Sequence, residues 1–383
     1  MTVTAAPAVP PIFSFPFLLN PLPTLAWLRE HDPIHTGPGG LVVLTRYADC
    51  AAALAHPGLS AAGGQAERSE VSGAPVSMLN TDGPEHIRLR KPGGSLLGPA
   101  AVARALPQIE ADIRAHLAGL GSTADLAREI SEPLATLALA GILGIPAADQ
   151  ARYAAHAAAV VVALDPVPSP AAAAKGRIAM AAFTEFAGEL MDRAEPESPL
   201  GRLRTTPELS REDALGIVSL ATVGGWAPLA DLITVAVHLW LAGDDAPGDE
   251  EGLMGWVAEV TRWHTPIPFV ARQAQTTIEL PSGQVPAGAQ VLVHLGAADR
   301  DPEVFGHPDA IAPHRESAAT EGLAFGAGTH LCLGAPLVRA VVPMVLRALQ
   351  ERAPAARLRS SQLMWQPTVF PRRPMSSVVE MPT

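Results

Sequence analysis

The pattern of apolar and polar residues along the chain predicts a protein built mainly from helices. Short strands are expected at residues 41–47, 267–274 and 290–296, and two more in the tail at 356–382. We therefore expect a mainly α fold with a minor β part, in a single domain spanning residues 1–383. Apolar residues recur at helical spacing over residues 102–120, 125–143, 147–164, 171–193 and 335–352, and a further helix ends near residue 264.

The longest helical pattern is interrupted in its middle. It starts at Ser210, an expected N-cap, and continues for about 30 residues. Within it, the stretch LATVGGWAPLADLI (220–233) contains adjacent glycines, Gly224 and Gly225, followed by Pro228. Proline has no N–H for the carbonyl four residues earlier, and its ring clashes with that carbonyl. We therefore predict one long helix that is kinked at Pro228.

Composition and charge exclude several classes of function. A chain of 383 residues with 48% hydrophobic content can bury a large core. The net charge of −11 argues against a nucleic-acid partner. The first 30 residues are interrupted by prolines and do not resemble a signal peptide. Because no uninterrupted apolar run approaches the roughly 20 residues of a membrane span, we expect a cytoplasmic protein without a membrane partner.

The two cysteines, Cys50 and Cys332, do not form a disulfide framework, so each thiol needs its own explanation. Cys50 has no motif around it and is interpreted as a small buried hydrophobe. Cys332 lies in a glycine-punctuated segment, the Cys loop (residues 323–334), directly before the last helix. A helix N-terminus and its free N–H groups lower a thiol pKa. A structural cysteine is the alternative, whereas a dinucleotide loop would need glycine in place of Leu331.

The stretch FGAGTHLCLG resembles the haem-binding signature of the cytochrome P450 family, F-G-x-G-x-H-x-C-x-G. The resemblance extends in the family's order over roughly residues 80 to 375. It implies a cytochrome P450 fold in which haem b (iron protoporphyrin IX) lies between the long central helix and the Cys loop with the final helix. Cys332 would be the iron ligand. The fixed positions of the signature are filled by Phe325, Gly326, Gly328, His330, Cys332 and Gly334.

Other family positions are found along the chain. EVTR supplies the E-x-x-R pair as Glu259 and Arg262, and AADRDPEVF matches the N-R-D-P run with Asp299 in place of Asn. From the residues alone, charged pairs at such spacings are equally typical of exposed helix faces. The resemblance implies that the haem propionates are held by His86 and Arg90 in TDGPEHIRLR and by Arg272 in FVARQA.

The central helix departs from the family at two catalytic positions. Aligned with the family pattern A-G-x-[DE]-T, the chain has Gly224 and Gly225 at the small pair, Ala227 at the acid and Pro228 at the threonine. The acid and hydroxyl normally deliver protons for O–O cleavage, which neither Ala nor Pro can do. The carbonyl of Gly224, freed by Pro228, would hold a water or a substrate hydroxyl. Asp231 is either a displaced acid or a packing or ion-pair residue.

The resemblance implies a monooxygenase-type oxidoreductase that acts on a medium-sized, largely apolar small molecule, in a tailoring step of specialised-metabolite biosynthesis. Oxygen activation would be assisted by the substrate, or oxidation would end in ring closure, coupling or desaturation. One alternative is oxidation by hydrogen peroxide, because the peroxide-using branch of the family also has proline at this position. The other is a non-catalytic haem-binding or structural partner protein.

The substrate and redox partners can be outlined only from the resemblance. Electrons would come from a separate ferredoxin or flavodoxin with its reductase, since no such module fits in this length. Arg88, Lys91 and Arg339 form a candidate basic docking face, with ordinary solvated charge as the alternative. Leu220, Val223, Gly224 and Pro228 share one helical face, the expected haem-facing stripe. The expected walls of an apolar pocket are Val76, Leu79, Leu220, Val223, Ile267, Val270 and Val369.

Overall fold

The computed structural model describes residues 11–63, 73–164, 169–243, 250–313, 315, 322–368 and 370–382. The chain is mainly helical, as the apolar spacing predicts. A π-helix (Leu126–Ser131) leads into the helix Glu132–Leu143, and a short 3-10 turn lies at Gly328–His330. The helices are α1 (Phe15–Leu19), α2 (Leu22–His31), α3 (Tyr47–Ala55), α4 (Gly83–Leu97), α5 (Pro99–Ala118), α6 (Glu132–Leu143), α7 (Ala147–Val160), α8 (Pro170–Asp192), α9 (Pro199–Arg204), α10 (Arg211–Val223), α11 (Trp226–Ala242), α12 (Glu250–Trp263), α13 (Leu295–Ala298) and α14 (Ala335–Arg352).

The strands form small sheets at the periphery of the helices. The strands are β1 (Ile34–Thr36), β2 (Val42–Leu44), β3 (Leu59–Ser60), β4 (Thr123–Asp125), β5 (Val270–Ala274), β6 (Ile278–Leu280), β7 (Gly283–Val285), β8 (Gln290–Val293), β9 (Arg357–Leu358) and β10 (Val378–Glu380). The largest sheet has the order β1-β2-β8-β5-β3, in which β2 and β8 are parallel and the other neighbours are antiparallel. The predicted tail strands pair with each other in a second sheet of order β4-β10-β9, and β6 and β7 form a hairpin.

The central helix α11 is enclosed by the rest of the fold. It packs against the π-helix and against α6, α12 and α14, and all its residues from 229 to 238 are buried. Together, α10 and α11 form one 32-residue span, Arg211–Ala242, that is long and apolar enough to cross a membrane, but 72% of its most apolar window is buried inside the protein. This composition therefore fits the central helix of a large core.

The predicted single helix is in fact two, and the break is not where the sequence analysis placed it. α10 ends at Val223 and α11 begins at Trp226, so the two glycines form the junction. Pro228 lies in the first turn of α11. Backbone N–H groups in a first turn have no acceptor within the helix, so a proline at this position removes no helical hydrogen bond. The prediction of a kink at Pro228 is therefore wrong, because the glycine pair has already interrupted the hydrogen bonding.

Close packing explains why small residues occupy the junction. Both glycines have negative φ, so conformational freedom is not the reason for them. A Cβ on Gly225 would lie 2.4 Å from the carbonyl oxygen of Ala221. On the buried side, the Tyr153 hydroxyl donates to the Thr222 hydroxyl at 3.2 Å. The indole N–H of Trp226 donates to the hydroxyl of Thr136 on α6 at 2.8 Å. These contacts hold the two helix ends against α6 and α7.

Candidate functional site

Glycines fold the Cys loop back before the final helix begins. Gly326 and Gly328 have left-handed φ values of 71° and 69°, which favour glycine. A Cβ on Gly328 would also lie 2.7 Å from the carbonyl oxygen of Leu54 on α3. The Cys332 N–H donates to the Phe325 carbonyl at 2.9 Å. The loop therefore closes on itself and presents Cys332 just ahead of α14.

The Cys332 thiol lies in an accessible recess rather than in a packed core. The residue is exposed, although enough protein surrounds the sulfur that burial raises the pKa of the thiol. Backbone N–H groups of Gly334 and Ala335 and the charges of Arg90 and Arg339 lower it by less. The predicted lowering of the thiol pKa by the helix N-terminus is therefore wrong as a net effect. Binding of the sulfur to a metal ion would supply the missing stabilisation of the thiolate.

Basic residues of α4 meet the Cys loop at one edge. The His86 ring is buried, with Nε2 3.1 Å from the Thr329 carbonyl oxygen and the ring centre 4.1 Å from that of His330. Arg90 Nη2 donates to the Leu331 carbonyl at 2.5 Å. The structure therefore brings together three of the basic residues that the resemblance assigned to the haem.

Asp82, which the sequence analysis did not single out, organises this edge. Burial would raise the pKa of Asp82, but hydrogen bonds from Ser60, two backbone amides and His330 lower it to about 2. Burial and the charge of Arg272, itself buried on β5, lower the pKa of His330 to about 4. At neutral pH the edge therefore combines a carboxylate, a neutral imidazole and an arginine. Asp82 occupies the N-cap position of α4, and an Asp directly before a predicted helix is the sequence signal that could have identified it.

The E-x-x-R pair is a buried ionic cluster. Glu259 and Arg262 are fully buried and form two hydrogen bonds of 2.8 Å. Arg315, absent from the sequence analysis, joins them at 2.9 Å. Burial would raise the pKa of Glu259, but hydrogen bonds from both arginines and one backbone amide outweigh it, so the pKa is lowered. Arg262 also donates to the carbonyls of Asp299 and Pro308, at 2.6 and 2.9 Å. The pair thus clamps the segment that precedes the Cys loop.

Asp299, the departure from the family's Asn, fastens the start of the Cys loop. It is fully buried and accepts the Leu323 N–H at 2.5 Å and the Thr265 hydroxyl at 3.1 Å. Burial raises the pKa of Asp299 to about 8, against the lowering effect of these hydrogen bonds and of nearby arginines. The carboxyl group is therefore mostly protonated at neutral pH, and it can form the hydrogen bonds that an Asn side chain would form here.

The junction of α10 and α11 is the accessible part of the central helix. Ala227, aligned with the family's acid, is fully buried and does not face this opening. The accessible positions repeat at helical spacing and include the predicted haem-facing stripe. Between residues 216 and 238, those not buried are Leu220, Val223, Gly224, Gly225 and Pro228.

The predicted pocket walls are only partly brought together. Val76 and Leu79 are exposed, and the Val76 carbonyl oxygen would lie 2.2 Å from a Cβ on Gly216, one turn before Leu220. Val369 lies outside the described residues. Both Ile267 and Val270 are half-buried. An open groove of about 670 Å³ lies elsewhere, between α8 and the start of α10, and none of the predicted wall residues lines it. The walls therefore remain a prediction.

Arg88 is not a free docking charge. It forms ion pairs with Glu85 at 2.6 Å and with Asp213 at 2.8 Å, and these raise the pKa of its guanidinium. Asp213 is also part of the capping box of α10, with Ser210 as the predicted N-cap. Arg88 thus ties α4 to the start of the central helix, which corrects its assignment to a docking face.

These residues fit a haem as its ligands and neighbours. A flat, apolar ring with two carboxylates needs an accessible thiol, backbone without side chains near the sulfur, and cations at one edge. Cys332 supplies the thiol, and a Cβ on Gly334 would lie 3.7 Å from its sulfur. His86, Arg90 and Arg272 supply the basic edge. The donor set therefore matches the cofactor that the resemblance implies.

Replacing Asp299 tests its raised pKa. An unfolded Asp titrates near pH 4, whereas the folded group titrates near 8. The stability that the protonated group contributes is therefore complete below about pH 4 and is lost as the pH rises through 8. In Asp299→Asn this loss should disappear, so the melting temperature, followed by circular dichroism, should fall less between pH 5 and 9 than in the wild type. Parallel curves would contradict the assignment, and Glu303→Gln, an exposed acid of the same run, should behave like the wild type.

Comparison with known proteins identifies the family of the chain. The family model for cytochrome P450 matches residues 253–350. The chain is 31% identical to cytochrome P450 monooxygenase PikC of Streptomyces venezuelae, covering 92% of this chain and 88% of that one. It is 27% identical to the erythromycin C-12 hydroxylase of Saccharopolyspora erythraea, covering 82% of each. The crystal structure of CalO2 superposes with a TM-score of 0.86 at 26% identity, over 97% of this chain and 98% of that one. The chain therefore belongs to the cytochrome P450 family, the haem-dependent oxidoreductases.

Proposed function

We propose that this cytochrome P450 oxidises a medium-sized, largely apolar small molecule in specialised-metabolite biosynthesis. The observation that carries the proposal is the accessible junction of the central helix, whose open positions are apolar or glycine and carry no acid or hydroxyl. One relative in this similarity range is named as an erythromycin C-12 hydroxylase. Oxidation of an apolar carbon requires little more from the protein than a shaped, dry pocket beside the oxidant.

Different residues of the site would hold the haem and supply the path for protons. When bound, a thiolate-ligated haem supplies the oxygen chemistry. Cys332 would hold the iron, and His86, Arg90 and Arg272 would hold the carboxylates at the edge. In the predicted haem-facing stripe, the Gly224 carbonyl, at the junction of α10 and α11, would bind a hydroxyl or water. A polar group of the substrate would complete the proton path that the acid and hydroxyl complete in other members.

Electrons would come from a separate ferredoxin or flavodoxin with its reductase, in the cytoplasm. Lys91 is exposed on α4, and the Arg339 guanidinium lies 5.1 Å from the centre of the Phe325 ring, beside the Cys loop. With Arg88 engaged elsewhere, these two cations are the remaining candidates of the predicted docking face. Such charges speed association with an acidic partner more than they add affinity.

A haem absorption titration tests the proposed function. The purified protein is titrated with fractionated extracts of its own host, and the Soret band is followed for a low-spin to high-spin change. We expect a saturable shift, because an apolar ligand in the pocket displaces water from the iron. No fraction giving a shift would count against a free small-molecule substrate, and a purified protein without haem would favour a non-catalytic partner protein.

Changing Cys332 to Ser tests the ligand assignment. The reduced carbon-monoxide complex should lose the spectrum typical of thiolate ligation, because serine cannot supply the sulfur. Cys50→Ser is the matched control, since Cys50 is buried and its thiol donates to the Leu44 carbonyl at 3.4 Å. A thiolate spectrum that persists in Cys332→Ser would refute the assignment.

Restoring the family residues tests substrate assistance. Pro228→Thr introduces a hydroxyl at an accessible position, and Ala227→Asp/Pro228→Thr restores the full pair, although it places a carboxylate at a fully buried site. If the substrate completes the proton path, neither variant should raise product formed per NAD(P)H consumed. A large gain in this coupling ratio would show that the missing hydroxyl limits the enzyme.

A further inference from the structure

Asp82 is the N-cap residue of α4, but its carboxylate does not cap that helix. The backbone carbonyl of Asp82 accepts the His86 N–H at 3.3 Å, as at an ordinary helix start. The side chain accepts no N–H of α4, a helix that lies wholly within the described residues. An N-cap Asp normally uses its carboxylate for the free N–H groups of the first turn. The carboxylate of Asp82 is therefore directed to groups outside the helix.

Four hydrogen bonds converge on this carboxylate from two other segments of the chain. Oδ2 accepts the Ser60 hydroxyl at 2.6 Å and the Ala62 N–H at 3.0 Å, and Oδ1 accepts the Ala61 N–H at 3.3 Å. Oδ1 also lies 3.2 Å from Nε2 of His330 in the Cys loop. Because a carboxylate can only accept, Nε2 carries the hydrogen of this bond. A carboxylate offers about four lone-pair positions, so these bonds use all of them.

The turn that supplies three of these bonds, residues 60–63, is itself fixed to strand β5. Ser60 is the last residue of β3 and pairs with Gln273 of β5. The Ser60 hydroxyl also accepts the Gly63 N–H at 3.0 Å, which closes the turn. A Cβ on Gly63 would lie 2.3 Å from Cβ of Gln273, so the turn packs directly on β5. Arg272, a basic residue of the expected haem edge, is the neighbour of Gln273 on that strand.

The fourth bond reaches the basic edge itself. The His330 side chain is 10% exposed, and its ring centre lies 4.1 Å from that of His86 on α4. Asp82 therefore lies where α4, β5 and the Cys loop meet. These three segments carry the basic residues that the resemblance assigned to the haem, which are His86, Arg90, Arg272 and His330.

We propose that Asp82 is a positioning residue of the haem site and that it acts through His330. Three bonds from the turn hold the carboxylate in place, and the fourth holds the His330 ring in a fixed orientation at the haem edge. The ring is thus placed before the haem carboxylates bind. Such preorganisation favours binding, because the side chain loses less freedom when the ligand arrives. This inference rests on the proposed placement of the haem carboxylates at this edge.

The rate at which haem leaves the protein tests the proposal without turnover. The haem-loaded protein is mixed with excess apomyoglobin, and the transfer of haem is followed in the Soret band. In Asp82→Asn the rate should rise at least about tenfold. The amide oxygen can accept only two of the four hydrogen bonds, and the amide NH₂ group would face donors.

Asp125→Asn is the matched control and should leave the rate of haem loss unchanged. Asp125 is likewise an N-cap acid that accepts a backbone N–H, that of Arg128 at 2.7 Å, and a serine hydroxyl, that of Ser376. These partners belong to the π-helix and to the tail.

A double-mutant cycle shows whether Asp82 acts through His330. His330→Phe alone should also speed haem loss, since its ring can bind neither Asp82 nor a carboxylate of the haem. Adding Asp82→Asn to His330→Phe should then change the rate by less than about threefold. A tenfold rise in both backgrounds would overturn the proposal.

The resonance Raman bands of the haem carboxylates give a readout that a loss of protein stability alone would not move. These bands should shift in Asp82→Asn and in His330→Phe and should stay in place in Asp125→Asn. Bands that shift in His330→Phe but not in Asp82→Asn would show that the ring keeps its orientation without Asp82, which also overturns the proposal.

Ser60→Ala keeps the proposal falsifiable if Asp82→Asn does not bind haem. It removes the shortest of the four bonds and leaves the charge of Asp82 in place. Haem loss should speed up at least about threefold in the wild-type background and hardly at all in His330→Phe. An equal rise in both backgrounds overturns the role of Asp82.

The same variants separate this inference from the proposed function. If His330→Phe changes neither the rate of haem loss nor the Raman bands, and the thiolate spectrum is intact, the proposed place of the haem carboxylates fails together with the inference. If His330→Phe changes both, and Asp82→Asn or Ser60→Ala has the same effect with and without His330, only this inference fails.

Discussion

The buried pairing of Glu259 with Arg262 is the interaction on which the site depends. Two unit charges without solvent exposure are stable only if every donor and acceptor is used. Arg262 therefore donates its remaining N–H groups to the carbonyls of Asp299, Pro308 and Ala310. Removing one partner of such a pair typically costs about 3 to 5 kcal/mol. Here the loss would also release the irregular segment that leads to Cys332.

A second clamp acts at the other end of that segment. The Asp299 carboxyl receives the Leu323 N–H, so the Cys loop begins at a fixed point beside the ionic pair. The glycine turns and the Cys332 N–H to Phe325 carbonyl bond then determine where the sulfur lies. The position of the thiol is thus set by one long-range contact at the start of the Cys loop and by local turns within it. At the long-range contact, the family's Asn is replaced by an acid whose burial raises its pKa to about 8.

The junction of α10 and α11 combines an accessible face with helix ends that are held in place by buried hydrogen bonds. The glycine junction interrupts helical bonding where the central helix is accessible, while Tyr153 and Trp226 fasten the helix ends from behind. Placing Pro228 in a first turn avoids the cost that a proline has in a helix interior. The accessible positions of this face are apolar or glycine, so the polar groups that they offer belong to the backbone.

Local patterns in the sequence were sufficient to predict most of the elements and the place of Cys332 directly before the last helix. Apolar spacing predicted the helices and the paired tail strands, the Ser210 signal predicted a capping box that the structure contains, and the signature predicted a cysteine ahead of the last helix. These features depend on residues that are neighbours along the chain, so their physical causes can be read from it. Only the tertiary structure decided that the helix breaks at the glycines instead of the proline, that Arg315 completes the ionic cluster, that Arg88 pairs with Asp213, and that burial raises the thiol pKa. Each of these results from groups brought together from distant parts of the chain, where burial and partner charges outweigh local propensity.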